Sequence, residues 1–160
     1  MATVINYNQT SAAAKVSLAP RFINACVLIV EDHEDTRFLL RIILEQRGVS
    51  VVEAVNGEMA IALAENLHLD LILMDGTLPL LDGFEATRRI RQHAEMCAVP
   101  IVFLSGHAHP AAAKAFAAGC TDYLVKPFTI SELGSLLERH LPQSAATQLS
   151  PGQSVKVNPL

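Results

Sequence analysis

No stretch of this 160-residue chain approaches the ~20 consecutive apolar residues that a membrane-spanning helix requires. Nor is there an excess of basic residues. Lys and Arg number 12 against 16 Asp and Glu, a formal net charge of −4. A nucleic-acid binder would carry a basic stripe, whereas the densest basic cluster here, Arg88, Arg89 and Arg91, reads as a solvated helix face. Cysteine is scarce as well. Cys26, Cys97 and Cys120 are odd in number and lack metal-ligand spacing, which fits a reducing interior and no disulfide framework. The N-terminal stretch lacks the apolar core of a secretory signal, because Lys15 interrupts its small-apolar run. These absences lead us to expect a cytoplasmic protein without membrane or nucleic-acid partners, in which the Asn8-Gln9-Thr10 sequon has no meaning.

What is present reads as globular. Hydrophobic residues make up 51% of the chain, and the length suits one domain with its own core. Residues 1–24 and 142–160 are rich in Ser, Thr, Ala, Asn, Gln and Pro, with weak periodicity, and read as mobile tails around a domain spanning 25–141. Within that domain, short apolar runs alternate with helical patterns. The strands are expected at Cys26–Val30, Ser50–Ala54, Leu71–Met74, Ile101–Leu104 and Asp122–Val125. The helices are expected at Thr36–Arg47, Glu58–Asn66, Phe84–His93, from Pro110 to Gly119, and at Ile130–His140. Asp82 can cap the third, and Thr129 or Ser131 the last. Five strands alternating with five helices imply an α/β protein whose parallel sheet is covered on both faces.

In such sheets, ligands bind beyond the carboxyl ends of the strands. The polar residues obey that rule. The first strand ends in Glu31-Asp32, the third in Asp75, the fourth in Ser105 and the fifth in Lys126, so the backbone delivers all of them to one rim. Any single acid after a strand is ordinarily a turn or cap residue, and it is the convergence that carries weight. Neighbouring carboxylates repel one another and call for a cation. Hard oxygen ligands in a partly open site suit Mg2+. A metal, a lysine and a hydroxyl around one carboxylate are what phosphoryl transfer needs, with Asp75 supplying the attacking oxygen and Lys126 neutralising charge on the transferring group.

Together these residues resemble the receiver domain of two-component response regulators, over about Ala25–Leu141. The pieces that carry the resemblance are Val27-Leu28-Ile29-Val30-Glu31-Asp32, Leu73-Met74-Asp75-Gly76-Thr77-Leu78-Pro79 with Asp82-Gly83, Phe103-Leu104-Ser105-Gly106, and Asp122-Tyr123-Leu124-Val125-Lys126-Pro127-Phe128. The resemblance implies a flavodoxin-like, doubly wound sheet of strand order 2-1-3-4-5. It also implies a stand-alone response regulator that is no classical enzyme. Asp75 would be the phosphoacceptor, and Mg2+ would be held by Asp32, Asp75, the backbone carbonyl of Thr77 and, through water, Glu31. Lys126 would pair with the phosphoryl oxygens, with a cis peptide to Pro127, and Ser105 would hydrogen-bond the phosphoryl group. Tyr123 keeps two readings: an ordinary half-buried strand residue, or a switch that follows Ser105 inward. The implied partners are a histidine kinase or phosphotransfer protein as donor, and a protein target on the face formed by helix 4, strand 5 and helix 5. The resemblance also allows a homodimer.

Departures and rivals bound this reading. Glu31 replaces the commoner Asp, Leu78, Leu80 and Leu81 stand where Met is frequent, and Gly106-His107 follows Ser105 where Ala is usual. His107 and His109 lack a third nearby ligand and read as surface loop. A haloacid-dehalogenase-type phosphatase would need its nucleophile at position 73, which is Leu73. A flavodoxin-like carrier would place FMN phosphate against Glu31-Asp32, which repel it. The remaining alternative is a pseudo-receiver, a protein-binding module that is never phosphorylated. Such modules usually lose an acid or the lysine, and this chain keeps both.

Overall fold

The computed structural model describes Phe22, residues 24–106 and residues 109–143, except for the side chains of residues 109 and 110. The stretches 1–21 and 144–160, read above as most of the tails, and the loop residue His107 lie outside the described residues.

Five strands form one parallel sheet: β1 (Cys26–Val30), β2 (Ser50–Ala54), β3 (Leu71–Asp75), β4 (Ile101–Ser105) and β5 (Asp122–Val125). Their order is β2-β1-β3-β4-β5, as expected. Five helices connect and follow them: α1 (Glu34–Glu45), α2 (Gly57–Asn66), α3 (Gly83–Ile90), α4 (His109–Ala118) and α5 (Ile130–His140). The central strands are continuous apolar runs because both of their faces are covered, and every residue of β3 and β4 is buried. The edge strands β2 and β5 are only half-buried.

Alternation along each strand sends side chains to two separate cores. On one face Leu28, Val30, Ile72, Met74, Ile101 and Phe103 pack against Ala60, Phe84, Ile90 and Ala115 of α2, α3 and α4. On the other, Val27, Ile29, Leu71, Leu73, Val102 and Leu104 meet Leu40, Ile43 and Leu44 of α1 and Leu133, Leu136 and Leu137 of α5. Each fully buried Leu or Ile contributes about 1.5–3 kcal/mol relative to exposure. The second core also includes Phe22, which is 1% exposed and whose backbone N–H donates to the Arg47 carbonyl. The packed unit therefore begins before the boundary read at residue 25. Phe22 and Ile23 follow Pro20-Arg21 outside any alternating or helical apolar pattern, so only the tertiary contact reveals the burial of Phe22.

Helix ends follow from local chemistry. Asn56 caps α2 by accepting from Met59 N, and Asp82 caps α3 by accepting from Glu85 N. Thr129, not Ser131, caps α5, and it forms a reciprocal capping box with Glu132. Gly119 ends α4 at φ 104°, a left-handed conformation that costs a glycine little.

The helix expected to run to His93 stops at Ile90, where Arg91 turns inward instead of lying on a solvated face. Arg88 and Arg89 do pair with Glu85 at the surface. Arg91 donates Nη1 to the carbonyls of Met96 and Val99, Nε to Gly119 O and Nη2 to Thr121 Oγ1. This fork gathers the segments before β4 and before β5 at the end of the sheet remote from the acidic rim.

Candidate functional site

The parallel sheet places the carboxyl ends of β1, β3, β4 and β5 side by side, and the expected polar residues stand there. Glu31, next after β1, is 1% exposed, and its backbone N–H donates to Ala54 O of the neighbouring strand. Asp75 is the last residue of β3 and pairs in register with Leu104, so Ser105 comes one step further along β4. Asp75 and Ser105 are both buried, at 8% and 5% exposure. Lys126 follows β5, and its backbone N–H donates to the Ser105 carbonyl at 2.8 Å.

From that edge strand the Lys126 side chain reaches inward over the rim. Three strand intervals, about 14 Å at the usual spacing, separate β5 from β1. Its ammonium donates to Glu31 Oε2 at 2.6 Å and to Asp75 Oδ2 at 3.0 Å. Burial pulls the Lys126 pKa down, but hydrogen bonds and charge from Glu31 and Asp75 outweigh it, and the ammonium is held above its ordinary value. Asp75 Oδ1 accepts from the backbone N–H of Thr77 at 2.9 Å, so both of its oxygens are oriented. The peptide between Lys126 and Pro127 is cis.

Asp32 is more open, at 32% side-chain exposure, and its Oδ1 lies 3.0 Å from His33 Nδ1. The same imidazole nitrogen is 3.3 Å from Glu31 Oε1. The Asp32 charge first, then hydrogen bonds to Asp32 and Glu31, raise the His33 pKa. Sequence reasoning left the acids' repulsion to a bound ion. In the fold, Lys126 already offsets part of it.

Glycine permits the loop beneath the site. A Cβ on Gly83 would collide with the carbonyl oxygen of Asp75, so only glycine lets the start of α3 lie against the end of β3. Phe84, next in the chain, stacks on Phe103 of β4 with ring centroids 5.0 Å apart.

Glu31, Asp75 and Lys126 are thus in direct contact, with Asp32, Thr77 and Ser105 adjacent along the rim. Tyr123 is half-buried on β5, opposite Phe103 in register. Two contributors went unread in the sequence. Arg37 donates Nη1 to the backbone carbonyls of Glu31 and Asp32, at 2.9 and 3.3 Å, and Nε to Glu53 of β2, which clamps the acidic turn. A cation in the first turn of a helix opposes the helix dipole, and that was a signal that Arg37 has other partners. His33 was the second, legible only as a nitrogen donor directly after two acids.

An open parallel sheet with acids at the carboxyl ends of β1 and β3 and a lysine after β5 defines an acidic cleft of the doubly wound class. Comparison with known proteins names the family. Residues 27–138 match the response regulator receiver domain. The chain is 41% identical over 108 residues to the transcriptional regulatory protein ResD of Bacillus subtilis, an alignment covering 67% of this chain and 44% of ResD. It therefore spans less than half of that relative.

Among solved structures, the receiver domain of a sensor histidine kinase from Pseudomonas aeruginosa aligns with a TM-score of 0.69 and 36% identity, covering 72% of this chain and 96% of that one. That structure has a magnesium ion coordinated in its active-site cleft. The receiver domain of Ssk1 from Saccharomyces cerevisiae, co-crystallised with the phosphotransfer protein Ypd1, aligns with a TM-score of 0.69 and 32% identity, covering 74% of this chain and 90% of that one. This chain belongs to the response-regulator receiver family. The family serves two-component signalling and is not generally one of classical enzymes. Among the described residues, no helix is long and apolar enough to cross a membrane.

Proposed function

We propose that this receiver accepts a phosphoryl group on Asp75 from a phosphohistidine, carried by a histidine kinase or a phosphotransfer protein. It then signals to a protein partner by a change of conformation. The observation that carries this reading is Lys126 Nζ held between Glu31 and Asp75 at 2.6 and 3.0 Å. In the transfer, a carboxylate oxygen of Asp75 attacks phosphorus and the P–N bond to the donor imidazole breaks. The electron pair returns to nitrogen, leaving an acyl phosphate. The incoming group brings negative charge beside Glu31 and Asp32, and the Lys126 ammonium is already in place to offset it.

The donor set fits a hard divalent cation. Glu31, Asp32 and Asp75 offer carboxylate oxygens, Thr77 a backbone carbonyl, and the 32% exposure of Asp32 leaves room for retained water. These residues would hold Mg2+, which when bound supplies positive charge to the phosphoryl oxygens. Ser105, buried at the end of β4, would hydrogen-bond the phosphoryl group, with Tyr123 turning inward behind it. Output would then pass through the face of α4, β5 and α5 to a separate protein.

The test is incubation with acetyl phosphate and Mg2+, followed by peptide mass mapping. Acid-labile phosphate on Asp75, absent from Asp75→Asn and from chelated samples, is the expected result. Labelling that persists in Asp75→Asn would place the chemistry elsewhere, and a folded protein that takes no label from any phosphodonor would favour the pseudo-receiver reading.

A further inference from the structure

The acidic rim carries a nitrogen donor that phosphoryl transfer does not use. His33 Nδ1 lies 3.0 Å from Asp32 Oδ1 and 3.3 Å from Glu31 Oε1, and one donor atom from each residue falls within 4.8 Å of the others. Donors placed about 2.0–2.2 Å from a zinc ion stand ~3–3.5 Å from one another along the edges of its coordination shell. The two spacings from His33 Nδ1 match such edges. Glu31 divides its two oxygens accordingly, with Oε2 bound to Lys126 and Oε1 turned to His33. The imidazole is 76% exposed, so burial does not fix its place, and solvent or an ion reaches it freely.

Oxygen ligands alone suit Mg2+, whereas an imidazole nitrogen favours borderline ions such as Zn2+, Ni2+ and Cu2+. We propose that His33 turns this end of the cleft into a site for a borderline divalent transition ion, zinc foremost, held by His33 Nδ1, Asp32 and Glu31. The proposal rests on the reading that the cleft binds a divalent cation. Because zinc and magnesium would share Asp32 and Glu31, zinc occupancy displaces magnesium and withholds it from Asp75. Phosphoacceptance thereby becomes sensitive to the zinc-to-magnesium ratio.

The test is calorimetric titration of the full chain with ZnCl2 and, separately, MgCl2, without any phosphodonor, in wild type, His33→Ala and His33→Asn. Losing a direct ligand should cost no less than the roughly 10–100-fold in affinity that losing an outer-shell partner costs. We expect zinc affinity to fall by at least that range in both variants, while magnesium affinity stays within a small factor. Cys97 and the His93–Glu65 pair remain in all three proteins, so the difference reports His33 alone. With Co2+ in place of zinc, the visible absorption band should also shift on loss of the nitrogen donor. Equal zinc affinity in wild type and both variants would overturn the inference and leave His33 as a hydrogen-bonding neighbour of the acids. Failure of all three proteins to bind either ion would instead defeat the divalent-cleft reading beneath it.

Discussion

Lys126 and Glu31 are 95 positions apart in the chain, yet their side chains meet at 2.6 Å, with Asp75 sharing the same ammonium at 3.0 Å. Glu31 is 1% exposed, so its charge is tolerable only while a cation stands against it. The contact therefore links the stability of the site to its ion content.

Lys126→Met should remove that counter-charge and leave two carboxylates facing each other. Breaking a buried pair costs about 3–5 kcal/mol, and the low end applies because Lys126 itself keeps 25% exposure. Magnesium should then restore more of the melting temperature in the variant than in wild type. Thermal melts with and without Mg2+ decide this, and an equal magnesium increment in both proteins would contradict it.

Gly83→Ala should displace the loop between β3 and α3, because the added methyl collides with the Asp75 carbonyl oxygen. We expect a loss of about 3 kcal/mol, at the upper end of overpacking costs. The rate of labelling from acetyl phosphate should fall too, even below the melting transition. Gly76→Ala is the control, since its Cβ would meet only ordinary contacts with Phe84 and Phe103.

Phe22→Ala should destabilise the domain although position 22 lies in the stretch that the sequence alone reads as a tail. The ring is 1% exposed in the core shared with α1 and α5. Truncating a buried phenylalanine costs about 3–5 kcal/mol, which lowers the melting temperature by on the order of 10 °C for a domain of this size. A melting temperature within experimental error of wild type would show that residue 25 is the true start of the packed unit.

Asp122 should make stability fall in acid. Burial raises its carboxyl, but hydrogen bonds from His140, Arg139 and the Tyr123 backbone N–H outweigh that and hold its pKa below the ordinary carboxylate range. A carboxyl depressed on folding adds stability above its unfolded pKa and loses it as pH drops through the folded one. The urea midpoint of wild type should therefore exceed that of Asp122→Asn at about pH 5, and the gap should close as pH falls below about 4. A gap that stays constant down to acid would mean that Asp122 contributes shape and not charge.

The central strands and the rim acids were readable because burial on both faces forces uninterrupted apolar runs, and the first polar residue after each run lands at the sheet's edge. β1, β2 and β5 appear with the expected bounds, and β3 and β4 run one residue further, to Asp75 and Ser105. α1 begins at Glu34, two residues before the expected start, because Glu34 and Asp35 favour the positive end of a helix dipole. α3 ends early because Arg91 finds better partners off the helix than on it.

The unread parts are meetings of residues, some between distant positions and some within the acidic turn itself. The Phe22 contact with Arg47 and the Arg37 bond to Glu53 depend on which residues tertiary packing brings together. The Arg37 bonds to the acidic turn and the pairing of His33 with Glu31 depend instead on the local path of the backbone after β1. Periodicity along the chain carries no record of such meetings.

Arg91 has a consequence for how this chain can vary in length. Its guanidinium is bound at once to acceptors in the connection before β4 and to Gly119 and Thr121 before β5, the last of them 30 positions away. Adding or deleting one residue in either connection shifts an acceptor by up to ~3.8 Å, one Cα–Cα step. Hydrogen bonds of about 2.7–3.2 Å do not survive such a shift. Insertions and deletions there unfasten the fork, so tolerated changes of length should fall in other loops.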